Sequence, residues 1–495
     1  MRRLRAVAAV ATFALTSACA VGPDYVKPAT PAAEAYKEAP PVASADGSVW
    51  NPAAPADGAP RGKWWEAYND PTLNGLEDQV DVSNQSLKVS EARFRQARSL
   101  IGVSRAAEFP TLSTLPTFSS IRYSDNRLYP GRYHTTGDFI LPLDASYEVD
   151  LWGRIGRNVN AAGDEAQASA ADLATVDLSL HAELAVDYFN LRSADSQKKL
   201  LDDSVAAFAD ALQLTTNRMN GGAAPESDVA QAKTQLDTTR VQDTDVTVQR
   251  AQYEHAIAVL IGKAPADFSL PPAPLTLHEP VIPTGMPSEL LQRRPDIAAA
   301  ERRVAEANEQ VGIAQAAYYP SLLLTPILGV ENHGIRDWFD WPSVFWSLGA
   351  GISETIFDGG RRDSLSDAAK AAYDANVANY RQTTLNAFEQ VEDDLSSLRI
   401  LQQEAQQQDE AVASAQNSLR LFTTRYVGGR DTYLQVITAQ TIALGNERNQ
   451  TEILRRRMEA SVQLIKALGG GWDAGTLPSL KALEKSADAA EAPPV

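Results

Sequence analysis

The chain has 495 residues, a formal charge of −18 and 44% hydrophobic residues, so it can bury a sizeable core but lacks the basic surplus that neutralises nucleic-acid phosphates. One cysteine excludes a disulfide framework and any thiolate metal cluster, and the five histidines fall in no metal-ligand spacing. No phosphate-binding, nucleophile-elbow or dinucleotide glycine motif occurs, so no enzyme, cofactor or metal is expected.

At the start, Arg2, Arg3 and Arg5 precede an apolar run over 6–15, too short to span a bilayer, and Ser17-Ala18 then lead to Cys19. This predicts a signal peptide over 1–18, with Cys19 as the acylated (palmitate-bearing) first residue of a lipoprotein. Residues 19–62, rich in Pro, Ala and Gly between Pro28 and Pro60, predict an extended tether.

Two blocks follow, 63–262 and 287–471, separated by a Pro-rich linker over 263–286 and followed by a tail over 472–495. Arg218-Met219-Asn220-Gly221-Gly222 recurs 207 residues later as Arg425-Tyr426-Val427-Gly428-Gly429. Gly153-Arg154 matches Gly360-Arg361, and Ile261-Gly262 matches Leu468-Gly469, at the same offset. Landmarks in one order at one spacing indicate an internal duplication.

Each block predicts the same succession. A helix (72–107; 287–317) ends at Phe109-Pro110 or Tyr319-Pro320, and a strand-like stretch follows. Next come a very long helix (157–218; 362–425), a glycine turn and a second long helix (226–261; 432–468). In the long helices apolar residues step by three and four, as in Val391, Leu395, Leu398 and in Val205, Phe208, Leu212, which is coiled-coil spacing. Sixty helical residues span about 90 Å, so the hairpins are built to cross a distance.

The strand-like segments switch to a period of two. In 138–152, Phe139, Leu141, Leu143, Ala145, Tyr147 and Val149 share a face; in 343–357, Val344, Trp346, Leu348, Ala350 and Ile352 do. Alternation over more than ten residues suits membrane strands, with lipid on one side and water on the other. Segments 111–124 and 321–333 supply the partner strands, and 125–137 and 334–342 the loops between them. Four strands cannot close a barrel, and an open edge cannot sit in lipid, so several chains must share one. Two chains would give eight strands and three would give twelve.

The chain resembles the TolC-type outer-membrane efflux proteins, in the lipoprotein branch serving resistance–nodulation–division pumps. The stretch 285–297 (GMPSELLQRRPDI), Ala316-Ala317-Tyr318-Tyr319-Pro320-Ser321, Asp150-Leu151-Trp152-Gly153-Arg154, Phe357-Asp358-Gly359-Gly360-Arg361 and 19–25 (CAVGPDY) carry the resemblance. It implies a mainly α fold with a membrane β part: a homotrimer whose twelve-stranded outer-membrane barrel continues into a long α-helical barrel in the periplasm. It also implies an exit duct for small molecules, docked through a periplasmic adaptor protein to an inner-membrane transporter. A type I protein-secretion duct would share this fold; a lipid-tethered coiled-coil scaffold would leave the alternating segments unexplained.

Carried over by position, the resemblance makes Gly221, Gly222, Gly428 and Gly429 the adaptor-facing tips. Asp228 falls at the carboxylate of the periplasmic gate and Tyr426 at its aromatic partner. Arg430 or Asp431 takes the place of a cation that pairs across the gate. Gln435 and Thr438 stand where two further acidic rings are usual. Asp228, Tyr426 and Arg430 are expected to form a hydrogen-bonded latch.

Overall fold

The computed structural model describes residues 20–31, 35–38, 62–122, 124, 136–276, 280, 282, 289–483 and 485. Cys19, the segment 1–18 and most of 125–137 lie outside them. The first repeat runs through α1 (Pro71–Ser83), α2 (Gln85–Arg105), β1 (Thr111–Ser113), β2 (Thr117–Ile121), β3 (Thr136–Val149), α3 (Arg154–Asn220) and α4 (Glu226–Leu260). The second runs through α5 (Leu290–Arg293), α6 (Pro295–Ala316), β4 (Ser321–Asn332), β5 (Val344–Ser353), α7 (Arg361–Val427) and α8 (Tyr433–Ala467).

The duplication is kept to the residue. Arg154 and Arg361, Asn220 and Val427, Glu226 and Tyr433, and Leu260 and Ala467 bound equivalent helices, each pair 207 residues apart. Helices α3 and α7 have 67 residues each, about 100 Å of rod. Among the described residues no helix is long and apolar enough to cross a membrane.

The helices predicted over 72–107 and 287–317 are each broken, and the breaks serve the architecture. Asn84 interrupts the first: its side-chain oxygen accepts from the Leu87 amide at 3.0 Å, and its amide donates to the Leu260 carbonyl at 2.8 Å. Arg294, just before Pro295, interrupts the second and donates to the Ala467 carbonyl at 2.9 Å. Both groups fill the carbonyl ends that α4 and α8 leave unsatisfied. Helix α4 thus stacks end-on against α2, and α8 against α6, each stacked pair lying along one 67-residue rod. The approach needs glycine: Gly262 and Gly469 have φ of +70° and +94°, and a Cβ on either would strike the Ser83 or Arg293 carbonyl.

The spaced apolar residues lie where the periodicity puts them. Val391, Leu395 and Leu398 are buried with Tyr380, Ile297 and Leu464, while Trp64, Tyr68, Tyr188, Ile257 and Val462 form a second core at the middle of the rods. The described part of the 19–62 tether is extended but not loose. The Val21 amide donates to the Trp152 carbonyl (3.0 Å), Asn308 to that of Pro23 (3.1 Å), and the Glu38 amide to Glu392 (2.9 Å). The Pro-rich linker is docked as well, through Ala273 to Asp195 (3.0 Å) and Leu275 to Ser196 (2.8 Å).

The strands make one antiparallel sheet in which β1 and β2 both pair with β3, β3 with β4, and β4 with β5. The partner strand predicted over 111–124 is split ahead of Thr117, with Pro116 in the gap, because proline has no amide to give the ladder. The last strand stops at Ser353 rather than 357. Register confirms the faces: Phe118 opposes Phe139, Leu143 opposes Leu328, and Leu328 opposes Trp346. The alternating apolar residues of neighbouring strands therefore share one face, with Leu348 76% exposed, while Ile140, Leu323, Ile327 and Phe345 fall among the polar residues of the other. The outer edges, β5 on one side and β1–β2 on the other, pair with nothing among the described residues.

Candidate functional site

At the end of the rods farthest from the sheet, both hairpins turn through the same capping motif. The Gly222 amide donates to the Met219 carbonyl at 2.9 Å, and that of Ala223 to Arg218 at 2.7 Å. Gly429 and Arg430 repeat the pattern onto Tyr426 (3.0 Å) and Arg425 (2.9 Å). This is a Schellman cap, which needs one residue in the left-handed region. Gly222 and Gly429 supply it, at φ +72° and +70°, whereas Gly221 and Gly428 have φ of −83° and −74°. Of the four tip glycines, only two are required by backbone conformation. Gly222→Ala and Gly429→Ala should each cost about 1–2 kcal/mol locally, read as faster amide exchange at the tip. Gly221→Ala and Gly428→Ala should exchange like the parent chain.

Tyr426, at the last turn of α7, is 3% exposed and packs its ring 5.2 Å from that of Tyr433 at a tilt of 52°, within a cluster that includes Ala232 and Val436. Across from it stands Arg218 of the first hairpin. Its guanidinium lies 4.6 Å from the Tyr426 ring centre, and its Nη1 donates to the Val427 carbonyl at 3.1 Å. This pair ties the two tips of one chain together. The equivalent residue of the second hairpin, Arg425, instead pairs with Asp431 at 2.7 Å within its own turn.

Asp228 sits half-buried in the first turn of α4. Burial pushes the Tyr433 hydroxyl up to about 12, the charge of Asp228 adding to the rise, so the phenol is neutral at any physiological pH. Arg430, Gln435 and Thr438 are exposed, and the Thr438 hydroxyl donates to the Leu434 carbonyl at 2.9 Å. The Tyr426 hydroxyl is buried without a hydrogen-bond partner among the described residues. Asp228, Tyr426 and Arg430 are therefore not joined through Tyr426 within a single chain; Arg218 covers the ring instead. The sequence marked Arg218 only as a repeat landmark, although an arginine followed by an aromatic at its offset partner was a usable signal.

Comparison with known proteins agrees with this architecture. The Outer membrane efflux protein family matches residues 76–263 and 286–470. The toluene efflux pump outer membrane protein TtgF of Pseudomonas putida is 30% identical over 467 residues, covering 94% of this chain and 96% of its own. The pyoverdine export outer membrane protein OpmQ of Pseudomonas aeruginosa is 31% identical over 416 residues, 83% of this chain and 87% of its own. Among solved structures, the outer-membrane channel OprN superposes with a TM-score of 0.84 at 29% identity, over 92% of this chain and all of that one. The open-state MtrE channel of Neisseria gonorrhoeae gives 0.79 at 26% identity, over 92% and 99%. The chain belongs to the outer membrane efflux protein family: it is an outer-membrane channel component of an efflux pump, with its long helices in the periplasm.

Proposed function

We propose that three copies of this chain close a twelve-stranded barrel in the outer membrane and a continuous helical duct beneath it, through which small molecules leave the periplasm. The observation that carries this reading is the antiparallel sheet, whose five strands fill four positions because β1 and β2 share one, with two edges unpaired among the described residues and one continuous apolar face. Unpaired strand edges are untenable in lipid, so neighbouring copies must supply the missing ladders. The helical tips would meet a periplasmic adaptor, which links them to an inner-membrane transporter that supplies the energy. The duct's own task is passage and gating, and no step of chemistry is assigned to it.

The cargo follows the relatives, whose names include toluene and pyoverdine export. Small, partly apolar molecules therefore fit better than secreted proteins. At the tip, Asp228 and the exposed Arg430 would bond neighbouring chains and hold the duct closed around the Tyr426–Arg218 pair. Cys19 is proposed as the acyl anchor. Its neighbour Val21 is bonded to Trp152 where β3 passes into α3, the level at which acyl chains on Cys19 would enter the inner leaflet.

A deletion strain tests the proposal. Loss of the gene should raise susceptibility to toluene and to hydrophobic antibiotics several-fold, with wild-type chain restoring resistance. Unchanged susceptibility together with lost protein secretion would favour the type I duct instead. Intact-mass measurement of the purified chain should show an acylated Cys19 as its first residue.

A further inference from the structure

Away from the duct tips, one side-chain cluster has no part in gating or in the membrane. His181 on α3 is 2% exposed, its ring stacked 4.2 Å from that of Trp65 at an interplanar angle of 17°. Its Nδ1 lies 2.6 Å from Oε2 of Glu77, a carboxylate wholly shielded from solvent. Its Nε2 faces the other way, 3.0 Å from Asp81 Oδ1 and 3.5 Å from Asp177 Oδ1. Asp177 and His181 are four residues apart on α3 and so share one face, while Asp81 comes from the end of α1.

We infer that His181 Nε2, Asp81 and Asp177 form a binding site for a divalent transition-metal cation, zinc being the best fit. Zinc takes imidazole nitrogen and carboxylate oxygen at about 2.0–2.2 Å in a tetrahedron, which sets its ligand atoms about 3.3–3.5 Å apart. The Nε2-to-oxygen separations of 3.0 and 3.5 Å bracket that edge, and all three donor atoms lie within 4.8 Å of one another. The remaining position is open to water.

Three further features point to a cation rather than to a simple ion pair. The buried carboxylate on Nδ1 is the arrangement that fixes a metal-bound histidine's tautomer and raises its basicity. Among the described residues Glu77 Oε1 is buried with no hydrogen-bond partner, and three carboxyl groups crowd one imidazole. Exchanging the Nε2 proton for a dication brings the cluster one unit closer to neutrality. Access exists too: Asp81 and Asp177 are about half exposed and line a cleft shared with Trp65 and Trp472. A bound cation would staple α1 to the middle of α3. The site is not legible as a sequence motif, because its ligands are one histidine, an aspartate four residues before it, and an aspartate one hundred residues away.

The test uses purified full-length protein in detergent, stripped with EDTA and titrated calorimetrically with ZnCl2, with MgCl2 as control. Zinc should bind once per chain and raise the melting temperature, and magnesium should do neither. His181→Gln should abolish zinc binding, and Glu77→Gln should weaken it about 10–100-fold. Because His181 is buried, Asp81→Asn provides a variant on a half-exposed side chain, expected to fold and yet to lose zinc. Absence of zinc binding by the parent chain, or undiminished binding by a folded Asp81→Asn protein, overturns the proposal.

Discussion

Tyr426→Ala should raise the single-channel conductance of the protein in planar bilayers several-fold. The substitution removes a buried ring from the cluster with Tyr433, Ala232 and Val436, a loss of about 3–5 kcal/mol for an aromatic-to-alanine change. It also strips Arg218 of the ring it covers, loosening the contact between the two hairpin tips of a chain. Repetition around the proposed ring of three chains multiplies the effect. Arg218→Ala removes the cation–π contact and one carbonyl bond, the former about 1–2 kcal/mol for a half-buried pair, and should raise conductance less. Tyr426→Phe separates two sources of closure. If the buried hydroxyl bonds to Asp228 or Arg430 of a neighbouring chain, Tyr426→Phe and Asp228→Ala should both increase conductance. If the ring alone closes the tip, both should conduct like the parent. Parent-like conductance of Tyr426→Ala would remove Tyr426 from the gate altogether.

Leu348→Lys should prevent assembly into the outer membrane, whereas Ser347→Lys should be tolerated. The two residues are neighbours on β5, but the pleat sends them to opposite faces, and Leu348 lies on the apolar one with Trp346 and Ile352. A lysine facing lipid near the bilayer midplane costs about 2–4 kcal/mol per chain, and every chain of the barrel bears it. On the opposite face the ammonium meets water and instead alters ion selectivity. The measurement is the amount of heat-resistant oligomer in outer-membrane fractions, together with the cation-to-anion permeability ratio of Ser347→Lys. Equal assembly of the two variants would mean that the apolar face does not meet lipid.

The local record of this fold is unusually direct in the sequence. The duplication, the coiled-coil steps through Val391, Leu395 and Leu398, and the period-two strands each depend on residues close in the chain, and each reappears in the structure. Helix ends were legible for the same reason: Gly153, Gly222, Gly360 and Gly429 sit at helix boundaries with positive φ, which any local reading of glycine anticipates. Four strands per chain follow from counting alone. The need for several copies then follows from the cost of an unpaired edge in lipid.

What the chain's local patterns did not contain were the contacts that join segments far apart in sequence. Asn84 and Arg294 look like ordinary polar residues until α4 and α8 bring the Leu260 and Ala467 carbonyls to them. The docking of the N-terminal segment along the rods, the crossing of Arg218 to Tyr426, and the meeting of Asp81 with Asp177 and His181 are of the same kind. Periodicity and capping are set by neighbours within a few residues, so the sequence by itself determined the rods, the turns, the strand faces and the repeat. Pairings across tens to hundreds of residues depend on how the packed rods align, so only the tertiary structure decided which charged and aromatic groups meet.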